Sequence, residues 1–183
     1  KGRKFVTTEV ENELVECGDY DVPGLIIDAA QMSSNAPDAE APEMSALVDN
    51  DFTTYFHSAW RGDTPDAPHH LQVDLDGEYQ ALVFKMSQRI GQINNCNPTK
   101  FALYATNDPE GEWALEGNYT IDWKYATTID GTEYLNFTGV AAAEMSKPYR
   151  YIRFAVTETT RNQKHNNYPF FYLSKFDAYA AQY

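Results

Sequence analysis

The stretch His70-Leu71-Gln72-Val73-Asp74-Leu75 decides the fold class. Leu71, Val73 and Leu75 alternate with polar residues, the period of two that turns one side of an extended chain to a core and the other to solvent. Asp76-Gly77 has turn chemistry, and the strand pattern resumes over 81–87. Downstream, 100–105 alternates through Phe101 and Leu103 until Asn107-Asp108-Pro109-Glu110-Gly111 ends it. Further strands are expected at 120–126, 133–137, 150–156 and 172–179, with Ile152, Phe154 and Val156 sharing a face. Helical periodicity is nearly absent, and 141–145 offers a single turn at most. About eight short strands separated by Gly, Pro, Asn and Asp clusters predict one all-β domain, an antiparallel sandwich or barrel.

Upstream of this block, Leu25-Ile26-Ile27 reads as a short apolar strand. Ser33-Ser34-Asn35-Ala36-Pro37 and the acidic run to Glu43 read as loop. Residues 1–21, with Glu9, Glu11, Glu13, Glu16, Asp19 and Asp21, read as a linker or peripheral segment, leaving 22–183 as the domain. The chain opens on Lys1-Gly2-Arg3-Lys4 with no signal peptide, so it is expected to be a piece of a longer protein with a covalently linked upstream domain.

Composition narrows the partners. Twenty-seven acidic residues against 14 basic give a net charge of −13. That field repels phosphate backbones and anionic lipid heads, so nucleic acid and membrane surfaces are poor partners. No apolar run approaches the ~20 residues of a membrane span. Thirteen Tyr and 10 Phe among 183 residues supply strand formers and flat rings for ligand contact. Cys17 and Cys96 fit no metal spacing; they are one bridge or two thiols. No nucleophile motif and no phosphate-cradling glycine loop is present, and His69-His70, pointing to opposite faces of a strand, make a poor chelate. A non-catalytic module is expected.

Three segments resemble the coagulation factor 5/8 type C, or discoidin, domain family. Ala46 to Ser58, containing Asp49-Asn50-Asp51-Phe52-Thr53-Thr54, is similar to the family's "L-x-D-G-D-x-x-T-x-W-x-S" segment. His70 to Leu75 is similar to its "hydrophobic-x-V-D-L" strand. Phe171 to Tyr179 is similar to its closing "L-S-E-hydrophobic-x-hydrophobic-Y" strand. The resemblance implies an eight-stranded jelly-roll β-sandwich of the galactose-binding type. Most bacterial members resembling this chain are carbohydrate-binding modules of the family 32 kind attached to glycoside hydrolases or surface lipoproteins. A glycan or small-sugar partner and an extracytoplasmic, bacterial location follow as expectations. The same fold also serves protein–protein or adhesion modules, which is the alternative reading.

The resemblance also names residues. His57-Ser58-Ala59-Trp60 matches the "H-x-x-W" of galactose-binding members, and Arg89 to Asn94 matches their "R-x-x-x-x-N". A stacking aromatic is expected on the loop before the last strand, with Tyr168 preferred and Phe170 second. Asp49, Asp51 and Thr54 fall where the family commonly holds a structural Ca²⁺. The family draws a Glu from its last strand; here that position is Lys175, whose ammonium can neutralise the aspartates in place of an ion.

Overall fold

The computed structural model describes residue 25 and residues 27–181. The expected linker, Cys17 and Ile26 lie outside the described residues. Leu25 and Ile27 are not in a strand, although the Leu25 amide donates to the Ala178 carbonyl at 3.0 Å.

Eleven strands are found among the described residues: β1 (Met32–Ser34), β2 (Phe56–His57), β3 (His70–Ser87), β4 (Pro98–Thr106), β5 (Ala114–Thr120), β6 (Asp122–Ile129), β7 (Thr132–Thr159), β8 (Lys164–His165), β9 (Tyr168–Pro169), β10 (Tyr172–Leu173) and β11 (Lys175–Ala181). Two short 3₁₀ turns, Ala29–Gln31 and Met44–Leu47, precede β2. All ladders are antiparallel.

Two long strands build both layers. The first half of β3 pairs with β1 and with the end of β7 (Asp74 opposite Tyr151), while its second half pairs with β11 and with the earlier part of β7 (Ser87 opposite Thr138). The turn expected at Asp76-Gly77 is therefore a bend within one strand, whose halves pair with β7 and not with each other. Asp76 has φ 53, its amide is held by Asp74 Oδ1 at 2.9 Å, and the β3–β7 register shifts between Asp74 and Ala81. Such irregularities bend a strand sharply without ending its ladder.

The bend lays the halves face to face. Phe84, on the second half of β3, meets Phe101 of β4 and Phe154 of β7 at centroid distances of 5.6 and 5.8 Å. Phe176 of β11 closes on Phe154 at 5.3 Å. All four rings are fully buried. The result is an all-β sandwich with its core between layers.

Residues 141–145, expected to offer a helical turn, lie instead in β7. Ala141 and Ala143 sit opposite Phe84 and Leu82, so small side chains fill the space that large neighbours leave. Cross-strand packing overrides the helix preference of alanine. β5 carries little strand signal because it is an edge strand pairing only with β4, and Ala114, Leu115, Asn118 and Thr120 are exposed.

Candidate functional site

Because β3 doubles back, its two ends come to the same end of the sandwich, and three loops gather there. The Tyr172 amide donates to the Cys96 carbonyl at 3.3 Å, Ser174 N to Ser87 O at 2.9 Å, and Thr160 N to Asn97 O at 3.0 Å. Ser58 anchors the third loop. Its amide donates to Phe171 O at 2.8 Å, and its buried hydroxyl accepts from Phe171 N at 2.9 Å. That hydroxyl also shares a hydrogen bond with His69 Nδ1 at 2.9 Å.

The small β2–β10 ladder sets Tyr172 opposite His57, with ring centroids 5.0 Å apart. Phe170, two residues earlier, stacks on His57 at 6.0 Å and 23°. Trp60 approaches the same imidazole at 6.4 Å and is 41% exposed. Arg89 lies 3.7 Å over the Tyr55 ring and 5.3 Å over Tyr172. His57, Trp60, Arg89 and Phe170, all expected from sequence, thus share one aromatic cluster. Tyr55 and Tyr172 join it without having been expected. The available signal is the period of two: Tyr55 precedes His57 by two residues, and Tyr172 follows Phe170 by two.

The other two expected residues lie apart from the rings. Asn94 is exposed at φ 55 on the loop that carries Arg89. Its Oδ1 accepts from Gln88 Nε2 at 3.2 Å, and its amide donates to Gln88 Oε1 at 2.7 Å. The buried Gln88 also donates to Asn136 O at 2.8 Å, which pins the loop to β7. Tyr168 pairs with His165 in the β8–β9 hairpin and makes no ring contact with the cluster among the described residues. That hairpin leans on the loop after Trp60, where His165 Nε2 lies 2.6 Å from Gly62 O and Asn166 Nδ2 donates to Thr64 Oγ1 at 3.1 Å.

The electrostatics assign roles. His57 Nδ1 lies 2.5 Å from Ser58 O. A carbonyl only accepts, so Nδ1 carries the proton and Nε2 keeps its lone pair. Burial lowers the His57 pKa below its usual value, against the opposing pull of the Ser58 carbonyl and Asp38, so the ring is neutral at pH 7. Arg89 donates only. The cluster therefore offers ring faces, one acceptor and one planar fork of donors. Those groups suit an uncharged molecule with an apolar face and adjacent hydroxyls.

The expected metal loop carries a different cation. Lys175 Nζ pairs with Asp49 Oδ1 at 2.8 Å and donates to Ala46 O, Ser174 O and Thr54 Oγ1, the last at 3.3 Å. Thr54 Oγ1 donates to Asp49 Oδ2 at 2.7 Å. Asp51 turns away and accepts from the Thr53 amide and hydroxyl at 2.9 and 2.6 Å. Desolvation would raise the Asp49 pKa, but hydrogen bonds from Lys175, Thr54 and the Asp51 amide outweigh it and hold the carboxyl below its usual range. In this arrangement the ammonium takes oxygens that a Ca²⁺ at this loop would use. Among the described residues no group of three or more His, Cys, Asp or Glu side chains is placed to hold a metal.

Residues 29–170 match the model of the F5/8 type C domain family. Solved structures share the fold at low identity. CpGH89CBM32-5 from Clostridium perfringens, in complex with GalNAc-β-1,3-galactose, is 13% identical, with 86% of this chain and 100% of that one covered at a TM-score of 0.56. The family 32 module of C. perfringens NanJ, in complex with galactose, is 18% identical, with 86% and 99% covered at a TM-score of 0.53. CBM32-3 from a C. perfringens family 31 glycoside hydrolase is 18% identical, with 84% and 94% covered at a TM-score of 0.58. The family match spans most of the sequence, from ahead of β1 to the end of the β8–β9 hairpin, and the chain belongs to the F5/8 type C domain family.

Proposed function

We propose that this domain is a non-catalytic carbohydrate-binding module that holds a galactose-type or N-acetylhexosamine sugar at the His57–Trp60–Arg89–Tyr172 cluster. One observation carries the reading: three segments far apart in sequence bring ring faces, a lone-pair nitrogen and a guanidinium fork to one end of the sandwich. The apolar face of a pyranose covers Trp60 and Phe170. His57 Nε2 accepts from one hydroxyl, and Arg89 donates to two neighbouring oxygens. Asn94, its carbonyl occupied by Gln88, offers its Nδ2 donor from the rim. Tyr168 flanks the rim on the hairpin that leads into Phe170.

The galactose and GalNAc-β-1,3-galactose complexes of the structural relatives support this sugar class. The jelly-roll topology of the family is part of the same reading. Relatives from a family 31 glycoside hydrolase and from a chitobiase support a parent that processes glycans, and an extracytoplasmic location is part of the same reading. The module would keep that parent on its polymer and raise the local concentration of its substrate. A glycan array probed with the labelled domain tests the reading. Signal confined to glycans ending in galactose or N-acetylhexosamine is expected; signal independent of the terminal sugar contradicts it.

A further inference from the structure

We propose that Lys175 is a built-in cation: its ammonium fills the oxygen cage that ties residues 46–54 to β11, and this junction works without a divalent metal. The donor set is the one a hard cation takes, namely two backbone carbonyls (Ala46 and Ser174), one hydroxyl (Thr54) and one carboxylate (Asp49). The Lys175 side chain is only 7% exposed, so these oxygens and not water solvate the charge. A buried ammonium without such partners would shed its proton or leave the site.

The position explains the use. Lys175 opens β11 and pairs with Ser87, the last residue of β3, while Ala46 to Thr54 form the loop that crosses above them. Tyr55, which stacks on Arg89, is the next residue after Thr54. The ammonium thus fastens the segment that presents Tyr55. A tethered side chain cannot diffuse away, so the junction does not depend on the surrounding metal concentration. This inference stands on the cage alone and does not require that the domain bind sugar.

Thermal melts in EDTA and in millimolar CaCl₂ test it on the whole chain, using wild type, Lys175→Met and Lys175→Glu. Wild type is expected to melt at the same temperature in both. Lys175→Met should melt roughly 4–8 °C lower in both, the fall expected for loss of a partly buried ion pair in a domain of this size. Lys175→Glu should be the least stable in EDTA and regain most of the loss in CaCl₂, because a carboxylate completes an oxygen site for the ion. If Lys175→Met does not fold, recovery of folded Lys175→Glu by Ca²⁺ alone carries the test. A wild-type melting temperature raised by Ca²⁺, Lys175→Met as stable as wild type, or Lys175→Glu indifferent to Ca²⁺ would each overturn the proposal.

Discussion

Tyr172 faces His57 across a two-residue ladder at 5.0 Å, and the same Tyr172 ring lies 5.3 Å beneath the Arg89 guanidinium. One ring therefore sets the spacing between the site's acceptor and its donor fork. A stiff aromatic in this position fixes both partners at little entropic cost, because it turns about only two side-chain torsions.

Replacing that ring is expected to uncouple the two groups. Tyr172→Leu should weaken sugar binding about tenfold, equivalent to ~1.4 kcal/mol. Tyr172→Phe should stay within roughly twofold, since the ring remains and the lost hydroxyl meets Gln92 at 3.5 Å and bonds to Cys96, not to His57 or Arg89. NMR titration of the three proteins checks this, and equal loss in both variants would show that the hydroxyl, and not the ring, couples the two groups.

Ser58 links stability to the site. Ser58→Ala leaves the Phe171 amide and His69 Nδ1 without their buried partner, a cost of about 2 kcal/mol. The melting temperature should fall by roughly 4–8 °C. Phe170 and Tyr172 flank the released Phe171, so sugar affinity should fall as well. A variant that melts and binds like wild type would show that this hydroxyl supports neither.

Acid should destabilise the fold before its carboxylates protonate. Burial, with smaller repulsion from neighbouring cationic groups, pushes His69 and His70 down to about 4 from the usual 6.5. Between those values the unfolded chain binds protons on these rings and the folded chain does not, so stability rises with pH. It is complete above about pH 6.5 and is lost as pH falls toward 4. Melts from pH 7.5 to 4.5 (~12 points) should show this decline, with a shallower slope in His70→Gln. A flat profile over that range would contradict the burial of these imidazoles.

Asn94 and Gln88 should separate rim contact from loop support. Asn94→Ala removes one exposed donor and should weaken binding only about threefold while blunting discrimination between sugar epimers. Gln88→Leu leaves the Asn94 amide and the Asn136 carbonyl unpaired, so it should lower the melting temperature as well as affinity. Equal melting temperatures for the two variants would remove the supporting role from Gln88.

Much of this is legible in the sequence because it depends on local order. The alternation over 70–75 and 150–156 places Leu71, Val73, Ile152 and Phe154 in the core, where all four are fully buried. The spacing of His57, Trp60 and Arg89 marks three members of the cluster. What stays hidden depends on pairing between distant segments. The bend at Asp76 looks like a turn because left-handed Asp and turn residues share one chemistry, and only the ladder to β7 distinguishes them. The alanines of β7 read as a single helical turn at most until Leu82 and Phe84 are set opposite them. For Tyr55 and Tyr172 the sequence offers only their spacing of two from His57 and Phe170, and they become neighbours through Arg89. The identity of Lys175 is plain as a departure from the family pattern. The four oxygens around it require the loop and the last strand in place together.

The most direct test of the sugar site is calorimetric titration of wild type and Arg89→Ala with galactose and N-acetylgalactosamine, with circular dichroism confirming that both are folded. A shallow site with few hydrogen bonds is expected to give wild type a Kd between roughly 1 mM and 100 µM for at least one of these sugars. Arg89→Ala should bind at least about tenfold more weakly with an unchanged spectrum, since nothing else in the cluster replaces its fork of donors. Wild type that binds neither sugar, or Arg89→Ala that binds as well as wild type, would contradict the assignment of this cluster as the sugar site.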